Sequence, residues 1–136
     1  MTNTSATKGH RYETCALWYL RTRGLHLVAR NYRCRWGEID LIMLATNKAS
    51  KETPTPAART LVFVEVRFRK SILFGRPEAT IRMTKQRRLC RAARHFLGST
   101  TAYTQAAARF DVLAISQPNY LPKFNWIQDA FECTEG

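Results

Sequence analysis

Acidic residues are scarce in this sequence of 136 residues: ten Asp and Glu stand against 22 Lys and Arg, for a formal net charge of +12. Long apolar runs are absent, because no stretch reaches the roughly 18 apolar residues of a membrane-spanning helix. The first nine residues also lack the apolar segment of a secretion signal. Together these absences predict a cytoplasmic protein without a membrane span.

Cysteine is sparse and poorly spaced for a metal or disulfide framework. Cys15, Cys34, Cys90 and Cys133 include no Cys-x-x-Cys pair, and no His stands at zinc-finger spacing. The sequence therefore predicts four reduced thiols. It also lacks a Gly-rich phosphate loop, a dinucleotide fingerprint and a Ser-His-Asp set.

What the sequence does contain is enough apolar material for a core and a concentrated positive charge. Hydrophobic residues make up 45% and aromatic residues 11% of the chain, which excludes a wholly disordered basic tail. Residues 1–37 carry seven basic and one acidic side chain, and residues 59–94 carry eleven and two. Such local excesses favour a polyanionic partner, most often nucleic acid. The alternative is a basic surface that is merely solvated.

Hydrophobic periodicity predicts seven elements in the order αβββαββ. They fall at 9–23, 25–32, 38–45, 61–69, 84–97, 109–116 and 123–128. This pattern predicts one α/β domain over residues 9–131 with a mixed sheet, after a disordered start at 1–8 and before a tail at 132–136. The polar segment 46–59, with two prolines, is typical of an exposed loop between two strands.

The few carboxylates in the strands are informative because an unpaired buried carboxylate is costly. Alternation along the second element places Glu38 and Asp40 on one face and Ile39, Leu41 and Met43 on the other. In the third element, Glu65 lies where its face changes from apolar to charged. Glu65 can pair with Arg67 or Arg69, or share a divalent metal with Asp40 if the two strands are antiparallel neighbours. The residues alone leave both possibilities open.

Two motifs carry a family resemblance. Gly37-Glu38-Ile39-Asp40-Leu41-Ile42, followed by Leu61-Val62-Phe63-Val64-Glu65-Val66-Arg67, resembles the signature of the small bacterial YraN-like family, usually placed in the PD-(D/E)XK nuclease superfamily. The match covers nearly the whole chain, from about residue 9 to 131. It continues in Glu13, Arg30-Asn31, Phe74-Gly75, Lys85, Arg88-Leu89, Arg109-Phe110-Asp111-Val112 and Asp129-Ala130-Phe131.

The resemblance implies a restriction-endonuclease-like fold, similar to archaeal Holliday-junction resolvases, and metal-dependent hydrolysis of phosphodiester bonds in DNA, including branched or damaged structures. By position in the motifs, Asp40 and Glu65 are the expected ligands of Mg²⁺ or Mn²⁺. Glu13 is an expected holder of a water or a second ion, and Glu38 is a weaker candidate. Metal and a nearby cation together stabilise charge on the scissile phosphate in such sites.

The sequence departs from the family pattern at Arg67, where the resemblance leads us to expect Lys. Arginine stays protonated at working pH, so it clamps phosphate but cannot act as a general base. Three alternatives follow. Arg67 stabilises charge while the metal alone activates water, Lys85 from the second helix reaches the site, or the domain is a non-catalytic nucleic-acid-binding module that keeps the nuclease fold.

Further candidates concern DNA binding. Arg87, Arg91 and Arg94 recur at helical spacing opposite the apolar stripe of their helix and predict a track for backbone phosphates. Trp36 is the best candidate to stack on a base, whereas Trp18 and Trp126 suit the core at least as well. Asp111, beside Arg109, predicts a structural ion pair. The remaining predicted contacts to DNA are Arg33, Arg35, Arg69 and Lys70. A homodimer and a basic adaptor for an acidic protein are left open.

Overall fold

The computed structural model describes residues 4–46, 59–69, 81–117 and 121–133. Two α-helices, one short 3₁₀ helix and five strands make up this part of the chain, in the predicted order αβββαββ. They are α1 (Thr4–Thr22), β1 (His26–Cys34), β2 (Gly37–Thr46), β3 (Arg59–Arg69), α2 (Met83–Ser99), the 3₁₀ helix (Thr101–Tyr103), β4 (Ala107–Ser116) and β5 (Lys123–Phe131). The predicted mixed α/β fold is confirmed. Most of the predicted loop at 46–59 lies outside the described residues.

The strands form one sheet in the order β1-β2-β3-β4-β5. Neighbouring strands are antiparallel except β3 and β4, which are parallel and joined through α2. The strand β3 lies at the centre and is apolar on both faces at its start, as a central strand requires. The predicted antiparallel pairing of the strands that carry Asp40 and Glu65 is confirmed.

Each face of the sheet is covered by one helix. Against α1 pack Leu41, Met43, Val62, Val64, Leu113 and Ile115. Against α2 pack Ile39, Ile42, Leu61, Phe63, Phe110 and Val112. The alternating residues of β3 therefore divide between the two cores, and Glu65 follows Leu61 and Phe63 on the face that α2 covers.

The predicted alternation along β2 is wrong at Asp40. Ile39 belongs to the core beneath α2, while Leu41 and Met43 belong to the core beneath α1. The physical reason is that β2 and β3 pair only from Thr46–Arg59 to Leu41–Val64. Beyond that point β2 pairs only with β1, and β3 pairs only with β4. The sheet therefore divides where Asp40 and Glu65 lie.

The start of the first helix differs from the sequence prediction, whereas the sequence explains why it ends. It starts at Thr4 instead of residue 9, so residues 4–8 are helical and not the expected disordered start; they hold no proline to prevent this. It ends at Thr22, and the cap is completed by Gly24, whose φ of +90° is accessible to glycine. The N–H of Gly24 donates to Arg21 O and that of Leu25 to Leu20 O, which is a Schellman motif.

The prediction of four reduced thiols is wrong for one pair. Cys90 on α2 and Cys133 beyond β5 form a disulfide, with Cα atoms 5.8 Å apart, while Cys15 and Cys34 are free. The two cysteines are 43 residues apart in sequence, but β5 runs back along β4 and brings Cys133 against α2. Separation in sequence does not reveal that proximity.

Candidate active site

A pocket of about 440 Å³ opens where β2 and β3 separate beneath the N-terminal half of α2. The division of the sheet supplies one wall from each strand, and the first turns of α2 supply the roof. Its lining residues are Gly37, Glu38, Asp40, Glu65, Arg82, Thr84, Lys85, Arg88 and Leu89. Asp40, Glu65 and Lys85, three of the predicted catalytic residues, thus share one pocket.

At the division of the sheet, the side chain of Asp40 accepts a hydrogen bond from the backbone of β3. Its Oδ2 accepts a hydrogen bond of 2.8 Å from the N–H of Val66, which has no ladder partner on β2. Burial, and then the charge of Glu65, raise the pKa of Asp40 from 3.8 to about 7, although the Val66 hydrogen bond opposes the change. Asp40 is therefore a carboxyl group whose negative charge is poorly compensated.

Glu65 lies deeper in the same pocket and is only 7% exposed. Its Oε1 forms a salt bridge with Nζ of Lys85, whose side chain is half-exposed at the pocket mouth. Of the two roles considered for Glu65, the ion pair exists, but its partner is Lys85 from α2. The single positive charge of Lys85 faces two neighbouring carboxyl groups.

Glu13 approaches this group from the other face of the sheet. Its charge adds to the rise in the pKa of Asp40, after burial and the charge of Glu65. The backbone around Glu13 is held by Arg30 of β1, whose Nη2 donates to Thr14 Oγ1 at 2.6 Å and to His10 O at 3.3 Å. The contacts of Arg30 thus fix the turn of α1 that carries Glu13.

Arg67 does not belong to the set of residues that line the pocket. It follows Glu65 by two positions on β3 and is partly buried. The cation that reaches Glu65 is Lys85, as one of the three alternatives requires. Lys70 and the side chain of Arg69 lie outside the described residues.

The donors in the pocket suit a hard divalent cation. Mg²⁺ and Mn²⁺ favour carboxylate oxygens, and Mg²⁺ usually takes one or two of them and keeps several waters. Asp40 and Glu65 provide two carboxylates beside each other, and the raised pKa of Asp40 marks a local lack of positive charge. Within the described ranges, however, no group of three or more His, Cys, Asp or Glu side chains is placed to hold a metal ion.

Sequence reasoning missed two cations of the pocket, Arg82 and Arg88. Both line it, at three residues on either side of Lys85. For Lys85 and Arg88, both on α2, that spacing puts the side chains on one helix face and was a usable signal, whereas Arg82 precedes the first residue of the helix. Arg88 of α2 packs against Gly37 of the β1–β2 turn, where a Cβ would stand in ordinary contact at 3.5 Å from Cβ of Arg88.

Of the predicted DNA-binding residues whose side chains the structure describes, three lie on α2 and three lie at or next to the β1–β2 turn. Arg87, Arg91 and Arg94 are exposed, and so are Arg33 and Arg35 near the β1–β2 turn. Arg33 pairs with Glu38 at 3.3 Å on the surface. Trp36 is 39% exposed, whereas Trp18 is 61% exposed and not in the core, because it lies off the apolar stripe of α1.

Asp111 is buried on β4, and the predicted structural ion pair is confirmed. Nε of Arg109 lies 3.1 Å from Oδ1 and 3.3 Å from Oδ2 of Asp111. Trp126 Nε1 and the N–H of Asp129 each donate to Asp111 at 2.9 Å. These contacts tie β5 to β4 and leave Asp111 without a place in the pocket.

Comparison with known proteins identifies the family. Residues 12–115 match the model of the uncharacterised protein family UPF0102. A UPF0102 protein of Psychromonas ingrahamii is 42% identical over 128 residues, covering 94% of this chain and 92% of its own. Those of Stutzerimonas stutzeri and Nitrosococcus oceani are 38% and 40% identical, each covering 94% of this chain and 97% and 94% of their own. No helix in the described part of the chain is both long and apolar enough to cross a membrane. The chain belongs to the UPF0102 family, which is the YraN-like family that its motifs resemble.

Proposed function

We propose that this protein is a metal-dependent endonuclease that binds DNA and hydrolyses phosphodiester bonds in the cytoplasm, at branched or damaged structures. The observation that supports the proposal most is the placement of Asp40, Glu65 and Lys85 in one pocket at the division of the sheet. Two carboxylates and a cation are the groups that phosphodiester hydrolysis needs. The same arrangement fits the PD-(D/E)XK superfamily, in which the YraN-like family is usually placed.

Asp40 and Glu65 are the residues that would hold Mg²⁺ or Mn²⁺. Such an ion supplies Lewis-acid polarisation of the scissile phosphate when it is bound. Lys85 then stands in for the Lys that the family pattern expects at position 67, because it contacts Glu65 from α2. Arg82 and Arg88, on either side of Lys85, add positive charge where a phosphate would enter.

The proposal is tested with purified protein and a panel of branched, nicked and plain duplexes in Mg²⁺ or Mn²⁺. We expect Asp40→Asn and Glu65→Gln each to lower the cleavage rate at least about 100-fold while DNA binding persists. Either ion should also raise the melting temperature of the wild type and not of these variants. Glu132→Gln, an exposed carboxylate beyond β5, is the matched control. Cleavage that survives in both pocket variants would overturn the proposal.

Arg67 favours a second candidate, a nucleic-acid-binding module that keeps the fold without catalysis. Arginine cannot accept a proton at working pH, and Lys85 is engaged with Glu65. Under this alternative the protein binds DNA with a steep dependence on salt but never nicks it with either metal. The same substrate panel distinguishes the two candidates.

A further inference from the structure

An exposed tryptophan stands at the rim of the carboxylate pocket. Trp36 occupies the turn between β1 and β2 and directly precedes Gly37, which lines the pocket. Its side chain is 39% exposed. This large aromatic ring belongs to neither core and has an exposed surface next to the pocket.

Two guanidinium groups lie against the ring of Trp36. Cζ of Arg35 is 4.7 Å and Cζ of Arg91 is 5.4 Å from its centre. Both arginines are exposed, and neither has a carboxylate partner among the described residues. The ring therefore gathers two cations, one from the turn and one from α2, that remain available to an anion.

Aromatic surface between unpaired cations is the chemistry that binds a nucleotide outside a duplex. A base stacks on the ring, and its phosphates meet the guanidinium groups. In an intact duplex the bases are already stacked on one another, so only an unpaired base can use the ring. Stacking on a base stabilises more than an exposed cation–π contact, so a base can displace one guanidinium from the ring.

We propose that Trp36 stacks on an unpaired base near the bond to be cut, and that this contact makes the protein prefer DNA that contains an unpaired nucleotide. This inference rests on the proposed function, because it assigns the substrate class to the same pocket. The flanking Arg35 and Arg91 contact phosphates on either side of that base and carry no sequence information.

The position of Trp36 sets a distance between the unpaired base and the cut. Trp36 precedes Asp40 by four residues, so their Cα atoms are at most about 13 Å apart. That length corresponds to about four stacked base steps. The unpaired nucleotide is therefore expected within about four positions of the bond that is cut.

Binding is tested without catalysis, by fluorescence anisotropy in EDTA. The probes are a labelled duplex with a single-nucleotide bulge and the same duplex fully paired. We expect the wild type to bind the bulged duplex about tenfold more tightly, and Trp36→Ala to remove that preference. Trp36→Phe should keep most of it, because an aromatic ring remains.

Trp18→Ala is the matched control, since Trp18 is also exposed, also contacts an arginine, and lies on α1 across the sheet. It should leave the preference unchanged. Equal affinity of the wild type for the two duplexes, or a preference that survives Trp36→Ala, would overturn the inference. If Trp18→Ala also removes the preference for the bulged duplex, the inference is overturned as well.

The anisotropy assay separates this inference from the proposed function. If Trp36→Ala leaves the preference for the bulged duplex unchanged and the wild type still cleaves DNA, the stacking site is refuted and the proposed nuclease function is not. A Trp36-dependent preference in a protein that never cuts supports the stacking site and refutes the nuclease. Where cleavage occurs, moving the bulge along the duplex should move the cut with it and keep their separation within about four base steps.

Discussion

Two aspartates of the sheet, Asp40 and Asp111, lie in opposite electrostatic surroundings. Asp111 is 1% exposed and accepts hydrogen bonds from Arg109, Trp126 and the backbone of Asp129. Asp40 has one backbone donor, at Val66, and the charges of Glu65 and Glu13 raise its pKa by more than the charge of Lys85 lowers it. The first aspartate is balanced by its own neighbours, and the second is not.

The contrast distinguishes a carboxylate that holds the fold from one that is available to a ligand. A buried charge with all its acceptor positions filled stabilises the arrangement of the elements that surround it. A carboxyl group with a raised pKa in an open pocket gains most from a cation or a proton that arrives from outside. Asp111 and Asp40 should therefore respond to substitution in opposite ways.

The largest effect is expected at Asp111. Asp111→Ala leaves the guanidinium of Arg109, the indole N–H of Trp126 and a backbone N–H without their acceptor. We expect the free energy of unfolding to fall by about 3–5 kcal/mol, as for other buried charge pairs that lose one partner. Unfolding in urea measures this loss of free energy. If Asp40→Ala lowers the free energy of unfolding as much as Asp111→Ala does, the contrast between the two aspartates is wrong.

The next effect concerns which cation serves the pocket. Lys85→Ala should lower the cleavage rate on the order of 100-fold, equal to about 2.7 kcal/mol, because the charge beside Glu65 is lost. Arg67→Lys restores the family pattern on β3 but lies outside the pocket lining, so the rate should change little. If Arg67→Lys speeds cleavage and Lys85→Ala leaves it unchanged, the catalytic cation belongs to β3.

The smallest effect is a change of stability with pH at Asp40. Because the pKa of Asp40 is about 7 in the folded protein and 3.8 ordinarily, the folded state binds this proton more tightly than the unfolded state. The free energy of unfolding should therefore fall as the pH rises from about 4 to about 7. Asp40→Asn keeps an acceptor for Val66 and loses the charge, so it should gain about 1–2 kcal/mol at pH 8.

This gain should disappear near pH 4, where the wild-type carboxyl is protonated. Chemical unfolding at several pH values, without metal, measures both limits. Glu132→Gln provides the comparison at an exposed carboxylate and should show no such gain. An Asp40→Asn variant no more stable than the wild type at pH 8 would contradict the view that this charge is poorly compensated.

The sequence predicts the fold well because its strands and helices differ in period and are separated by clear turn residues. The helix stop at Gly24 and the apolar run of β3 are local signals that survive into the structure. Asp40 and Glu65 also come from local patterns, a carboxylate in each of two neighbouring strands. Their nearness follows from one antiparallel pairing, which the loop between the strands already suggests.

The features that the sequence could not predict depend on where two strands stop pairing and on which helices and strands pack together. The reversal between Ile39 and Leu41 arises because β3 leaves β2 at that point, and strand alternation has no sign of this. The disulfide of Cys90 and the contact of Lys85 with Glu65 both require knowing how α2 lies on the sheet. Both contacts depend on tertiary packing, and no local pattern in the sequence indicates them.

The division of the sheet has a mechanical consequence. Past the Leu41–Val64 pair, the sheet is two ribbons, β1-β2 and β3-β4-β5, each held together by pairing between its own strands. In the described residues, the hydrogen bond from Val66 to Asp40 bridges them at this point. No ladder bond between β2 and β3 therefore fixes the separation of Asp40 and Glu65; within the described residues it depends on side-chain contacts, of which the Val66–Asp40 hydrogen bond is one.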